Sequence, residues 1–553
     1  MTKKLFTWSL FRLLLAAALL AAGRGLDLLA GFRTFTTVPG LAIVAILLGA
    51  LLCARAAREL HGAGPNRLAE GGPYHFVRHP LSLGFQLALL GVALLLASPG
   101  CLLAAGPLLF ALWLGHALLV EEPALARRFG VVYARYRLET GFAFPSLYVW
   151  SMRVLHLIYR IGYGVRIHSL ERVPHSGPFF LIGLHRTYMD PYIIAFRVPR
   201  KVHYMATSVL FRHRLIALYF RKMGCIPLIR SRPDLRPIME ALKTLDVGGV
   251  VGMYPEGARS WYGETACEPA VFKLLQKRKV PIVTVELIGA FEYHPRFTRR
   301  QRRRPVCLKY RLYPAGTQDP LGLMEALADR EHRRDALLRA QVRPQPARAA
   351  EQLVYICPQC SAPFRCRGYK DGSIHCRACG ARFTLLEGKG LLLPGGGSLS
   401  LPELERRNLS WAGGYEPGGR LITGALLCRC SVTGKTDLQT CRWLRRADMR
   451  CVRPGTLSLF PDHLIAGYTD GTRDRWTVRY EEMQSVLVES NWKLEFSFRK
   501  KEGQRGYLFF LPPLRYALFL QHFLRLKAFG NPYARYRGSR RFDILPALND
   551  RLL

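Results

Sequence analysis

His185 and Asp190 stand five positions apart in Leu-His-Arg-Thr-Tyr-Met-Asp, and Tyr254-Pro-Glu-Gly-Ala-Arg-Ser260 follows about seventy residues later. A histidine ring oriented by a nearby carboxylate can remove a proton from a hydroxyl. A Glu-Gly-x-Arg turn can offer a guanidinium and backbone donors to a phosphate. Together the two islands outline an acyl transfer site. His185 would be the general base on an alcohol that attacks an acyl thioester directly, and Asp190 would fix the tautomer and stabilise the imidazolium as it forms. No covalent acyl-enzyme is required. Arginine suits the phosphate role because it stays charged and binds oxygens in two-pronged fashion, and Gly257 lets backbone approach closely. A lone His-x4-Asp is more often an ordinary loop pair, and a lone arginine a solvated charge. Here two further blocks accompany them, Gly224-Cys-Ile-Pro-Leu-Ile-Arg230 and Val280-Pro-Ile-Val-Thr-Val-Glu-Leu-Ile-Gly289.

The order and spacing of these four blocks resemble the glycerolipid acyltransferases, the family that includes lysophosphatidic acid acyltransferase, over roughly residues 150 to 320. The resemblance implies an α/β acyltransferase domain over 148–320. In it Arg259, beside Glu256 and Gly257, holds the acceptor phosphate, and Arg230 makes a second phosphate contact. It implies transfer of a fatty acyl chain from coenzyme A or acyl-carrier protein to a lysophospholipid hydroxyl, with 1-acylglycerol 3-phosphate the favoured acceptor and phosphatidic acid the product. Thr187 stands where the family has a small hydroxyl residue. Leu184 departs from the asparagine common before the histidine.

Composition agrees with work at a membrane. The chain has 553 residues, enough for three or four domains, and 80 Lys+Arg against 39 Asp+Glu give a formal charge of +41. Such an excess favours anionic partners: phospholipid headgroups, a phosphorylated acceptor, or an acidic carrier protein. Nucleic acid is not expected, because the charge is spread along the chain and no nucleic-acid module is recognised apart from a ribbon. The cluster Arg299-Arg-Gln-Arg-Arg-Arg304 reads either as a solvated basic face or as a contact for lipid headgroups.

Residues 1–147 read as a four-helix transmembrane domain. Apolar runs near 7–22, 36–53, 82–98 and 101–120 are each about long enough to cross a hydrocarbon core, and a cleaved signal would account only for the first. Lys3 and Lys4, then Arg55, Arg58, Arg67 and Arg78, then Arg127, Arg128, Arg135 and Arg137 fall on one side of such a domain; Arg24 and Arg33 fall on the other. The positive-inside rule makes the first side cytoplasmic and returns the following domain there. Gly72-Pro-Tyr-His-Phe-Val-Arg-His-Pro80, Glu121-Glu122, Phe129-Gly-Val-Val-Tyr133 and Tyr136 resemble the isoprenylcysteine carboxyl methyltransferase and phospholipid methyltransferase group. That resemblance implies an S-adenosylmethionine pocket lined by His79 and Pro80, with Glu122 near the cofactor's polar groups. Ser82 stands where the family has tyrosine, which removes an aromatic wall. Two alternatives to the acyltransferase reading therefore stay open: an S-adenosylmethionine-dependent membrane methyltransferase, and a noncatalytic membrane scaffold.

Residues 148–166 mix bulky apolar and basic side chains and read as an interfacial helix. Residues 321–350 carry a charged helix-like stretch that runs into prolines, and read as a linker. Beyond it, within 351–385, stand Cys357-Pro-Gln-Cys360 and Cys376-Arg-Ala-Cys379, with fifteen residues between the pairs. Two close pairs of thiolates match tetrahedral zinc in a ribbon, and with four sulfurs and no place for water the metal would be structural. Cys366 and His375 lie nearby as spares. Cys428, Cys430, Cys441 and Cys451 do not form a recurrent zinc spacing and read as packing. Residues 420–530 hold several short strand-like runs and a helix pattern at 514–526, a β-rich module resembling pleckstrin-homology domains. Its basic loop Arg499-Lys-Lys-Glu-Gly-Gln-Arg505 is either a lipid contact or a solvated hairpin.

Overall fold

Ala- and Leu-rich runs lose little side-chain freedom in a helix, and they build the N-terminal part of the chain as α1 (Thr2–Ala30), α2 (Pro39–Ala63), α3 (Pro80–Leu95) and a composite α4 (Cys101–Glu139). The computed structural model describes every residue except 1, 32–38, 65–66, 164, 169–171, 176, 197, 199, 212, 229–234, 264–265, 268–274, 276–277, 294, 298–305, 317–318, 320–321, 329, 332–346, 348–349, 387–389, 432–452, 471–474, 490–492, 501–504, 534–541 and 544–553. The chain divides into two compact units, 1–153 and 154–553.

In the first unit, glycines let α2 and α3 meet backbone to backbone. A Cβ on Gly84 would lie 2.7 Å from the carbonyl oxygen of Gly49, and one on Gly91 would lie 2.7 Å from that of Ala42. Small residues at such a seam are how apolar helices associate where water supplies no driving force. The outward side chains of α2, α3 and α4 are large and apolar, including Leu41, Leu47, Leu51, Leu90, Leu103 and Leu119. Among the described residues, α2 and α4 are long and apolar enough to cross a membrane, while α3 is apolar but only 16 residues long. The buried Asp27 on α1 is satisfied by the Ser98 hydroxyl and, at 2.7 Å, by the amide of Gly100.

Helix α5 (Leu147–Tyr163) runs across the boundary between the units. Its exposed Leu147, Trp150, Val154, Leu157, Ile158 and Ile161 recur at helical spacing and form one apolar stripe.

The second unit begins with a seven-stranded sheet. Its strands are β1 (Arg166–His168), β2 (Phe179–Gly183), β3 (Val202–Thr207), β4 (Ile226–Leu228), β5 (Val250–Met253), β6 (Ile282–Ile288) and β7 (Cys307–Tyr313), in the order β1-β7-β6-β2-β5-β3-β4. Only the β6–β7 pair is antiparallel. Every residue of β2, β5 and β6 is buried, as in a sheet covered on both faces, with Glu286 of β6 paired to Arg330. Intervening helices α6 (Asp190–Ala195), α7 (Arg214–Lys222) and α8 (Arg236–Asp246) complete the α/β pattern. Parallel β2 and β5 are neighbours, so the loops after them emerge side by side at the carboxyl edge of the sheet. That is where open α/β sheets bind ligands.

The stretch 321–350 is not simply a linker. Residues 322–328 are helical, and Leu323, Met324, Leu327 and Ala328 are buried in the core beneath β2 and β5. Glu331 is buried too. Pro344 and Pro346 mark a linker in the sequence, but the apolar positions before them share one helical face and the Glu331 carboxylate is paired.

Next comes an antiparallel meander, β8 (Cys366–Gly368), β9 (Ser373–Cys376), β10 (Arg382–Leu386), β11 (Gly390–Leu392) and β12 (Ser398–Ser400). It leads into α9 (Leu401–Gly414), opened by a capping box between Ser400 and Glu403. A second seven-stranded sheet, antiparallel throughout, contains β13 (Arg420–Ser431), β14 (Arg453–Leu459), β15 (His463–Tyr468), β16 (Arg475–Arg479), β17 (Met483–Glu489), β18 (Lys493–Arg499) and β19 (Arg505–Leu511). Its order is β16-β15-β14-β13-β19-β18-β17, and α10 (Leu514–Phe529) packs on β17 and β18. One hydrophobic core joins this sheet, the meander, and Trp261, Tyr262, Phe291 and Phe297 from the first sheet's loops.

Gly252 on β5 is needed because a Cβ there would lie 2.3 Å from a ring carbon of Tyr204. Gly252→Val should therefore destabilise the second unit by about 1–3 kcal/mol through overpacking, seen as an earlier thermal unfolding transition of the full chain in detergent; an unchanged transition would show that the ring moves aside freely.

Candidate functional site

The loop after β2 folds around one carboxylate. Asp190 is completely buried, and its Oδ2 accepts from His185 Nδ1 at 2.9 Å, from the Arg186 amide at 2.6 Å and from the Thr187 amide at 2.7 Å. Its Oδ1 accepts from the Thr187 hydroxyl at 2.6 Å. A carboxylate can only accept, so its His185 partner is the Nδ1–H tautomer, with the Nε2 lone pair left for another proton. The His185 side chain is 21 % exposed while Asp190 is sealed beneath it. On its other face the imidazole lies on the Tyr254 ring, 4.5 Å between centroids and 19° from parallel, and Tyr204 continues the stack at 5.8 Å. The ring is thus fixed by a hydrogen bond and by packing.

The loop after β5 interlocks with it. Glu256 Oε2 accepts from the His185 amide at 2.7 Å, and the Ser260 amide donates to the His185 carbonyl at 3.3 Å. Gly257 takes a φ of +59° in a turn closed by its amide on the Tyr254 carbonyl at 2.9 Å, a conformation that glycine adopts without strain. Arg259 follows, with its guanidinium carbon 3.4 Å from the centroid of the Tyr188 ring. His185, Asp190, Glu256, Gly257 and Arg259 are therefore brought together from two loops. Arg230 lies outside the described residues, as do Cys441, Cys451 and the basic cluster 299–304.

Two charged residues in this site, Arg186 and Glu331, carry no role in the sequence analysis. Arg186 donates to Glu331 at 3.2 Å, to the Ser260 hydroxyl at 3.3 Å and to the Gly263 carbonyl at 3.2 Å, and lies 3.8 Å from Glu256. Glu331 also accepts from the Leu287 amide on β6 at 2.7 Å. Arg186 sat inside the motif but carried no signal of its own, and nothing in the sequence around Glu331 marks it. Burial pushes Glu256 up to about 7, against the pull of the Arg186 guanidinium and the His185 amide in the other direction.

In the first unit, a second polar cluster forms where the start of α3 meets the middle of α4. The Arg78 amide donates to the Gly141 carbonyl at 2.8 Å, and its guanidinium donates to Glu122 at 2.8 Å and to the Thr140 carbonyl at 2.7 Å. His79 lies 3.2 Å from Glu122 through Nε2 and 3.1 Å from Glu121 through Nδ1. Glu121 reaches His116 at 3.2 Å, and Arg137 reaches Glu122 at 3.3 Å. Pro80 is the first residue of α3, where its missing amide costs nothing. The His79 ring is flanked by Phe142 at 4.8 Å and Trp113 at 6.4 Å. Glu121, Arg78 and His116 join the expected His79 and Glu122. A π-helical turn over Ala117–Glu121 adjusts the register that presents the two glutamates.

Cys357, Cys360, Cys376 and Cys379 have their sulfurs all within 4.8 Å of one another, the Cys357–Cys379 and Cys360–Cys376 pairs at 3.8 Å. Four convergent thiols in that space can hold a metal ion. Cys366 is buried beside them and the His375 ring packs on Tyr369.

Residues 164–288 match the model of the Acyltransferase family and residues 41–131 that of the Phospholipid methyltransferase family. The first window contains His185, Asp190, Arg230, Glu256, Gly257 and Arg259; the second contains His79, Pro80 and Glu122. The chain is similar to a 1-acyl-sn-glycerol-3-phosphate acyltransferase of Bacillus subtilis, 25 % identical over 144 residues that make up 26 % of this chain and 72 % of the relative. It is also similar to one from Streptococcus pneumoniae, 26 % identical over 134 residues, 23 % of this chain and half of that protein. Among solved structures, the 1-acyl-sn-glycerophosphate acyltransferase of Thermotoga maritima aligns at 20 % identity with a TM-score of 0.31, covering 41 % of this chain and 90 % of that one. The chain thus carries an acyltransferase domain and, N-terminal to it, a phospholipid methyltransferase-type segment.

Because the folded Glu256 binds its proton more tightly than an unfolded chain does, its contribution to stability is fully present below the ordinary carboxylate pKa and is lost as pH rises through about 7. Glu256→Gln should flatten the fall in stability over that window, measured by thermal unfolding across a pH series; an unaltered pH profile would mean the carboxylate is ionised throughout.

Proposed function

We propose that the protein is a membrane-bound acyltransferase that moves a fatty acyl chain from a thioester to a lysophospholipid hydroxyl, with 1-acylglycerol 3-phosphate as acceptor and phosphatidic acid as product. The observation that carries this reading is the His185–Asp190 pair at 2.9 Å on the same interlocked loops as Arg259. His185 Nε2 takes the proton of the acceptor's free hydroxyl, and the oxygen attacks the thioester carbonyl. The tetrahedral intermediate collapses by breaking the carbon–sulfur bond, and the imidazolium returns its proton to the leaving thiolate. Asp190 holds the ring and offsets its transient charge. Arg259 binds the acceptor phosphate, with Arg230 as a second contact. The donor is acyl-coenzyme A or acyl-carrier protein, and the catalytic domain faces the cytoplasm, where such donors are found.

Four crossings anchor the N-terminal unit, and the apolar stripe of α5, flanked by Arg153 and Arg160, suits a helix lying in the headgroup zone. Zinc is the metal that the four cysteines best fit. Tetrahedral bonds of about 2.3 Å place sulfurs roughly 3.8 Å apart, and all four positions are taken by thiolate, so the ion supplies structure and no step of the reaction. Residues 351–385 then form a zinc ribbon, and the sheet of 420–530 with its closing helix is a pleckstrin-homology-like module. The polar cluster around His79 and Glu122 favours a second reading for the first unit, an S-adenosylmethionine site in which the carboxylates meet the cofactor's amine and the aromatic faces of Phe142 and Trp113 suit its sulfonium.

His185→Ala should lower turnover by roughly two to four orders of magnitude, followed by mass spectrometry of phosphatidic acid formed from 1-acylglycerol 3-phosphate with each donor type. Full activity in that variant would rule out His185 as the base. The purified chain should carry one zinc, and Cys376→Ser should lose it; a metal content unaffected by the substitution would place zinc elsewhere.

A further inference from the structure

Arg296 is buried, 7 % exposed, and its guanidinium touches two separate parts of the second unit, the loop that carries Arg259 and Trp261 and the C-terminal sheet. Nη1 donates to the carbonyl of Arg259 at 2.8 Å, Nη2 donates to the carbonyl of Val488 on β17 at 2.8 Å, and the group lies 4.0 Å over the Trp261 indole. Val488 is tied onward, its amide donating to the Gln521 side chain of α10 at 3.2 Å. A continuous line of hydrogen bonds therefore runs from the C-terminal helix to the backbone of the residue assigned to the acceptor phosphate.

The same loop is gripped again three residues later. The Tyr262 hydroxyl donates to the Leu353 carbonyl at 3.2 Å and accepts from Asn408 at 2.8 Å, and Asn408 itself reaches Leu353 at 2.7 Å. Leu353 lies just before the four-cysteine meander and Asn408 on α9. Trp261 and Tyr262 are buried in the core that includes Cys357, Cys376, Phe496 and Phe519. The far side of the Arg259 loop is thus built against residues 351–529, while on the near side its guanidinium rests on Tyr188.

Burying a guanidinium costs several kcal/mol unless its donors are used well. Apolar packing alone could hold the loop in place. What a planar fork adds is direction, since two donors in one plane fix the angle between the carbonyls they reach. We propose that Arg296 is a positioning residue, through which the C-terminal sheet and helix set the placement of Arg259 and hence the affinity for the acceptor's phosphate. The region 351–529 is then part of the acceptor site's framework, not an appended recruitment module. This inference rests on the acyltransferase reading above and adds to it a residue and a region outside the matched domain.

The test compares 1-acylglycerol 3-phosphate with 1-acylglycerol, which lacks the phosphate, in the full-length protein. Arg296→Met should raise KM for the phosphorylated acceptor about tenfold or more, the loss expected when a charge-assisted hydrogen bond is removed, with a smaller change in kcat and none in KM for the acyl donor. Slow acylation of 1-acylglycerol should be unaffected. Arg296→Lys keeps the charge and stem but not the fork, and should show the same split; it also carries the test if Arg296→Met fails to accumulate. Gln521→Leu, at the remote end of the line, should shift KM in the same direction by less. Equal losses with both acceptors, as a general folding defect would give, or an unchanged KM in Arg296→Lys, would overturn the proposal. If the unmodified protein acylates neither acceptor, the acyltransferase reading itself fails.

Discussion

Two buried carboxylates, Asp190 and Glu256, must find their donors inside the protein, and the donors they find belong to the same loop. Asp190 takes the ring of His185 and the amides of Arg186 and Thr187; Glu256 takes the amide of His185. Leaving either oxygen pair without partners would cost far more than any single contact returns. The loop after β2 is therefore held in one shape, and that shape is held to the loop after β5. The imidazole inherits its orientation from this arrangement, so on the proposed reading the proton-accepting geometry is in place before a substrate arrives. Arg186 extends the constraint between Glu256 and Glu331, and through Glu331 to the amide of Leu287 on β6. Three strands of the sheet are thereby registered against one histidine.

This hierarchy accounts for what the amino-acid order revealed. The meeting of His185 with Asp190, and of their loop with the one that carries Glu256 and Arg259, was legible because each pair lies close in sequence. The same holds for the four cysteines. Arg186 and Glu331 meet across 145 positions, and no local pattern can announce such a pair. The expectation of a linker over 321–350 rests on its prolines and its loss of apolar periodicity, yet Arg330 and Glu331 turn toward Glu286 and Arg186. In the C-terminal sheet the alternating runs from 455 onward were legible as strands, but β13 was not. Its Gly424 and its Arg429 between two cysteines interrupt the pattern, although it lies at the sheet's centre.

The charge excess has a partly internal explanation. Several arginines are buried or half-buried with their donors on backbone carbonyls. Arg200 reaches Gly177 at 2.7 Å and Gly248 at 2.6 Å; Arg525 reaches Val486 at 3.0 Å and Pro532 at 3.2 Å; Arg296 bridges Arg259 and Val488. A carbonyl offers negative partial charge without an acidic side chain, so the chain can bury cations without matching anions. A lysine could not replace them, because its single ammonium cannot span two carbonyls in a fixed plane. Guanidinium groups committed in this way are not available to lipid phosphate. The +41 of the formula therefore overstates the charge free to meet an anionic surface. Arg259 is placed by such a group: its carbonyl accepts from the buried Arg296 guanidinium, its side chain is laid on Tyr188, and the amide of the next residue donates to the His185 carbonyl.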